Sequence, residues 1–146
     1  MNMLLAPALG IIGFLIVLTF YMWIKKQPSG TDVMKDISDQ IHAGAMAFLR
    51  QEYSVLVIFI IIVFLALTFF LPKIDEVPNV GILTAVAFAC GALCSVIAGF
   101  TGMKSATRAN VRTSWAANQF GQGKALMVAY FGGSVMGLAV ACLGLF

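Results

Sequence analysis

Charge is what this sequence has least of, and where it is missing matters more than how little there is. Asp, Glu, Lys and Arg make up 10% of the 146 residues, against 61% hydrophobic. The runs from Leu4 to Ile24, Tyr53 to Leu71 and Gly81 to Met103 contain none, nor does anything after Lys124. Soluble globular domains carry roughly a quarter charged residues, so an ordinary soluble domain is excluded. Runs this long match or exceed the ~20 residues that cross a hydrocarbon core of ~30 Å. With a mean hydropathy of +0.98, they describe an all-α transmembrane protein. Pumps and channels usually place polar or ionisable groups at membrane depth; with none there, this stretch has no visible ion path and no catalytic site of its own.

Cysteine and histidine are scarce as well. Cys90, Cys94 and Cys142 all lie inside apolar runs and read as small packing residues rather than a disulfide framework. Two cysteines four apart with no neighbouring His or acid make a poor metal site. His42 is the sole histidine and has no companion at ligand spacing, so it reads as a polar-face residue. The net charge of +3 is weak evidence for nucleic acid, because membrane topology explains the cations better.

Taken in order, the chain predicts four spans, at about residues 3–24, 53–72, 81–103 and 125–146, as part of a larger helical bundle. The first ends in Tyr21, Trp23 and then Lys25 and Lys26, aromatic and basic markers of a cytoplasmic boundary. Met1–Gly10 has no charged side chain, so a cleaved signal peptide is not expected and the N-terminus is placed outside. Pro28 and Gly30 mark a turn, with Thr31 or Asp32 as N-cap of a second helix. From Val33 to Leu71 there is no Pro and only Gly44. Ile37, Ile41, Ala45 and Phe48 stand at helical spacing before the run turns apolar all round. A helix of this length measures ~58 Å at ~1.5 Å per residue, so helices two and three are expected to project into the cytoplasm. Pro72–Val80 reads as a tight external loop. Ala87, Gly91, Ser95 and Gly99 on the third span, and Gly133, Gly137 and Ala141 on the fourth, repeat small residues every fourth position and predict faces that pack against protein. Eight of the nine basic residues fall on the proposed inside and Lys73 alone outside, as the positive-inside rule requires. The fourth helix is expected to stop inside a span at Phe146.

The most informative stretch is Gly99–Thr113. On a helix, Lys104, Arg108 and Arg112 form one stripe, while Ala106, Ala109 and Thr113 offer a low-relief face that another helix could approach closely. The cations suit phosphate groups of a substrate or an anionic lipid, partner acids such as Asp36 and Asp39, or the negative end of a helix leaving the membrane. Asp32, Asp36 and Asp39 could hold Mg2+, or simply favour the positive end of the second helix. Arg50 and Glu52 suit either an interfacial pair or a place in an ion path.

Two sets of residues together resemble one family. They are Ile37, Ser38, Ile41, Gly44, Ala45, Ala47, Phe48, Leu49, Glu52 and Tyr53 on helix two, and Gly99, Phe100, Gly102, Met103, Ala106, Thr107, Ala109, Asn110, Arg112 and Thr113 leaving helix three. They look like the N-terminal part of the membrane-bound, ion-translocating pyrophosphatases, with Gly123, Lys124, Ala125 and the stretch Gly132–Gly137 matching the start of their fourth helix. The resemblance implies a much longer homodimeric membrane enzyme that hydrolyses pyrophosphate with Mg2+, often with K+ stimulation, and pumps Na+ or H+ out of the cell across its inner membrane. It implies that these helices belong to an outer ring in contact with lipid. It also implies that substrate is held by acidic motifs on later helices, so no catalytic, substrate-binding or metal residue is assigned here. This segment alone is not expected to be active. The alternative is a complete small four-helix membrane protein with a structural or assembly role; a self-contained small transporter fits less well, for want of charge within a span.

Overall fold

A computed structural model describes residues 5–71 and 79–145. Over these residues the chain forms four helices: α1 (Leu5–Lys26), α2 (Asp32–Phe70), α3 (Val80–Phe120) and α4 (Gln122–Leu143). All four are long and apolar enough to cross a membrane, and the chain is a multi-pass membrane protein. Most of the expected external loop Pro72–Val80, with Lys73, Asp75 and Glu76, lies outside the described residues, as do Met3, Leu4 and Phe146.

Local chemistry explains the boundaries. Pro7 sits in the first turn of α1, where a missing N–H costs nothing. Thr31 is the N-cap of α2, its hydroxyl accepting from the Met34 amide, which satisfies one of the orphan donors of the first turn. Gly30 just before it takes φ +83°, a left-handed conformation that suits glycine. Only one residue separates α3 from α4: Gly121, at φ +81°, where the sequence predicts a broader break over Phe120–Gly123. At ~1.5 Å per residue, α2 and α3, of 39 and 41 residues, are roughly twice as long as α1 and α4, of 22 each.

The helices stand in a row. α2 touches α3 alone; α4 packs along the other side of α3, and α1 packs on α4 and meets α3 near its end. Tyr53 bonded to Val96, His42 to Thr107 and Arg108 to Asp39 show α2 and α3 running antiparallel. The core lies where α1, α3 and α4 meet, around Val17, Ile24, Ala109, Val135 and Ala139. Phe20 and Trp23 of α1 pack on Phe131 of α4 with ring centroids 4.7 and 4.9 Å apart.

Close approach of α3 and α4 depends on glycine. A Cβ on Gly132 would lie 2.5 Å from that of Ala109, and one on Gly102 would strike the Met136 side chain at 2.5 Å. In lipid, where burying apolar surface gains little, such close van der Waals contact is the main attraction between helices.

Within these four helices, only some of the small and apolar positions are packed. The buried small residues of α3 include Ala85, Ala98, Gly102, Ser105, Ala109 and Ala116, whereas Ala87, Gly91 and Ser95 are exposed and Gly99 half-buried. On α4, Gly132 and Ala139 are buried while Gly133, Gly137 and Ala141 are exposed. α4 packs on the Gly102, Ser105 and Ala109 stretch of α3. On α2, Ile37, Ile41 and Phe48 are 52%, 45% and 56% exposed, because α3 meets Ser38, His42, Leu49 and Tyr53 instead.

Candidate functional site

The polar residues gather where α2 and α3 run side by side beyond their most apolar halves. The Asp39 carboxylate accepts from Arg108 Nη1 at 2.9 Å. One turn along α2, His42 Nδ1 lies 2.8 Å from Thr107 Oγ1. The Thr107 hydroxyl donates to the carbonyls of Met103 and Lys104, at 3.0 and 3.3 Å. The His42 ring and the Thr107 hydroxyl thus share one hydrogen bond, whose direction follows the tautomer of the ring. Further along, the Tyr53 hydroxyl donates to the Val96 carbonyl at 2.9 Å. These ties are rungs between two helices that share little buried apolar surface, and spacing within one helix could not have disclosed them. Ser105 makes the corresponding bond on the other side of α3, to the Gly132 carbonyl at 3.3 Å.

The basic stripe is divided among three tasks. Arg112 is half-buried and donates to three carbonyls: Arg108 at 2.7 Å, Gln27 at 3.1 Å and Lys25 at 3.4 Å. The last two lie at the end of α1, whose terminal carbonyls lack partners within their own helix, so Arg112 caps α1 from a neighbouring helix. Burial, and secondarily the charge of Arg108, pull the Arg112 pKa below its ordinary value. Arg108 pairs with Asp39 in a bond open to solvent on both sides. Lys104 is exposed, its ammonium 5.7 Å from the centre of the Phe100 ring. Of the readings open to these cations, pairing with an acid holds for Arg108, and carbonyl capping holds for Arg112.

Asp32, Asp36 and Asp39 do not converge. Asp32 bonds Lys35 at 2.9 Å, Asp36 accepts from Gln40 at 2.9 Å, and Asp39 faces α3. Among the described residues no group of three His, Cys, Asp or Glu is placed to hold a metal ion, so this arrangement does not fit a Mg2+ site. Arg50 and Glu52 are both exposed, and among the described residues neither takes part in an ion pair.

The Arg112 bonds also show that α1 and α3 are staggered. Lys25, Lys26 and Lys104 are expected at one inner surface, yet α1 ends level with Arg112, eight residues beyond Lys104, or about 12 Å along α3. The C-terminal end of α1 carries a second cationic contact, Lys124 lying 5.4 Å from the Trp23 ring centre.

Comparison with known proteins gives these helices a context. Residues 11–146 match the family described as inorganic H+ pyrophosphatase. A K+-stimulated pyrophosphate-energised sodium pump of Thermotoga maritima is 44% identical over 84% of this chain and 16% of its own length. K+-insensitive pyrophosphate-energised proton pumps of Methanosarcina mazei and Pyrobaculum aerophilum are 39% and 38% identical, over 96% and 97% of this chain and 20% and 19% of theirs. The chain thus spans about a fifth of the length of these relatives. It belongs to the inorganic H+ pyrophosphatase family.

Proposed function

We propose that this member of the family supplies the first four helices, an outer-ring scaffold, of a pyrophosphate-energised cation pump. In this reading the N-terminus lies outside the cell membrane, α2 and α3 project into the cytoplasm, and the working protein is a homodimer in contact with lipid. Pyrophosphate is the substrate, with Mg2+, and with K+ where the type requires it, bound by later parts of the polypeptide. One observation carries the reading: residues 11–146 match the family model, and the chain is similar to proteins named as such pumps, of which it covers about a fifth. Packing agrees, since the polar residues at the α2/α3 junction are spent on joining helices to one another. Identity is higher to the sodium pump than to the two proton pumps, which favours Na+ as the exported ion.

The test is expression of the native gene in a host lacking such a pump, followed by assay of inverted membrane vesicles. A product several times heavier than 15.6 kDa, with Mg2+-dependent pyrophosphate hydrolysis and Na+ uptake, is expected. Hydrolysis by residues 1–146 alone would overturn the scaffold reading. Pyrophosphate-driven acidification without Na+ uptake would move the assignment to a proton pump.

A further inference from the structure

Arg108 and Arg112 have partners in other helices, but among the described residues neither Lys104 nor Arg50 of α2 takes part in an ion pair. These two cations lie on one side of the α2/α3 pair. Arg50 stands eleven residues after Asp39, and Lys104 four before Arg108, spacings that return a helix to nearly the same face. Asp39 and Arg108 bond to each other at that face. Arg50 and Lys104 also fall between the two ties that join Asp39 to Arg108 and Tyr53 to Val96. Because the helices are antiparallel and side chains lean toward the N-terminus of their own helix, these two lean toward a common height. Lys104 leans back along α3, its ammonium 5.7 Å from the Phe100 ring centre, and Arg50 leans toward the polar start of α2. The nearby acids are spent or turned away. Asp39 is bonded to Arg108 and Asp36 to Gln40, and Glu52, eleven residues after Ile41, faces the other side of α2.

Toward the membrane the same side turns apolar on both helices. Ile97 and Leu93 continue the line of Arg108 along α3, and Val57 and Ile61 that of Arg50 along α2, by helical spacing; all four are exposed. The opposite side of α3 exposes Ser95 and Ala106 instead. From Lys104 to Leu93 is eleven residues, about 16 Å at ~1.5 Å per residue, close to one leaflet of a hydrocarbon core ~30 Å thick. Cations at one end of a strip of bulky apolar side chains, one leaflet long, match a headgroup and its acyl chain.

We propose that this side of α2 and α3 holds one anionic phospholipid of the inner leaflet, its phosphate between Lys104 and Arg50 and an acyl chain along Ile97 and Leu93. Each cation near the surface favours an anionic headgroup by about fivefold, so the pair selects it over a zwitterionic lipid by roughly tenfold once salt screening is included. Only the leaflet is taken from the orientation proposed above.

The test uses the full-length protein in phosphatidylcholine nanodiscs. These contain a small fraction of phosphatidylglycerol with a diazirine on its acyl chain or, for comparison, phosphatidylcholine with the same diazirine chain. After illumination, peptide mapping is expected to show at least fivefold more labelling around Leu93 and Ile97 from the anionic probe. The double variant Arg50→Gln, Lys104→Gln is expected to remove this preference. Arg50→Lys, Lys104→Arg keeps both charges and is expected to retain it, with unchanged labelling elsewhere in the protein as the check on folding. Equal labelling by the two probes would overturn the proposal, as would a preference that survives the double glutamine variant. Loss of the preference on adding inorganic phosphate at constant ionic strength would also overturn it, by making the site one for a soluble anion. Both leaflets of a nanodisc carry the probes, so the readout is independent of orientation and of pyrophosphate hydrolysis. Failure of the scaffold reading would show separately, as a native product of 15.6 kDa.

Discussion

Arg112, in the second half of α3, closes the end of α1: its guanidinium donates to the carbonyls of Gln27 at 3.1 Å and Lys25 at 3.4 Å. The contact joins residues 85 and 87 positions apart and fixes the height of α1 against the rest of the row. Arg112→Ala leaves those carbonyls without their charged donor, and bonds to charged groups contribute about 1.5–3 kcal/mol. A lower melting temperature in detergent and faster proteolysis after Lys25 and Lys26 are expected, with partial recovery in Arg112→Lys, which keeps the charge but not the fork of donors. An unchanged melting temperature would show that the carbonyls find other partners.

The α3/α4 contact at Gly132 tolerates no added bulk. Gly132→Ala brings two Cβ atoms to 2.5 Å, and overpacking of this kind costs about 1–3 kcal/mol. Reduced folded yield is expected, with recovery in the double variant Gly132→Ala, Ala109→Gly. A double variant no better than the single would place the strain elsewhere.

His42 and Thr107 are expected to be coupled. Interhelical hydrogen bonds in membrane proteins average about 0.6 kcal/mol and reach about 1.7, so a double-mutant cycle with His42→Ala and Thr107→Val should give a coupling in that range. The neighbouring Asp39 and Arg108 pair is open to solvent and should couple by no more than about 1 kcal/mol, falling as salt is raised. A coupling near zero for His42 and Thr107 would rule out the bond as a tie.

Asp32 gives a pH dependence of known sign. Its hydrogen bond to Lys35, and then the lysine charge, hold its pKa below the ordinary 3.8. A carboxylate lowered in this way contributes stability above pH 3.8, and that contribution fades as the pH falls from there through the lower folded value. In Lys35→Ala the Asp32 pKa should return upward, measurable by carbon NMR of the side chain in micelles. A titration unchanged by the substitution would mean that the pair does not persist in solution.

The stagger of α1 against α3 predicts a depth difference. Spin labels at Lys25 and Lys104 should differ by about 12 Å along the α3 axis, the rise of eight helical residues. Depth-dependent relaxation by a lipid-soluble quencher measures it, and equal depths would mean that α1 slides relative to α3 in a bilayer.

Much of the molecule is legible in the residues themselves. Uncharged runs of about 20 residues define membrane helices whatever their neighbours. Thr31 and Gly121 terminate helices through their own backbone and hydroxyl chemistry, and the Gly99–Thr113 pattern carries the family resemblance. Two-sidedness of that stretch was equally readable, because side chains four apart must share a face.

What only the tertiary structure decided is which faces meet. Small residues recur along much of α3, and periodicity alone does not say which of them meet α4; α4 packs on Gly102, Ser105 and Ala109, where Gly132 lets it approach. The partners of His42, Tyr53 and Arg112 belong to other helices, at heights set by packing along the whole row rather than by local spacing. Helix formation is a local property of the chain, whereas helix register is settled by the sum of many weak contacts across α1, α3 and α4, and those contacts exist only once the helices have come together.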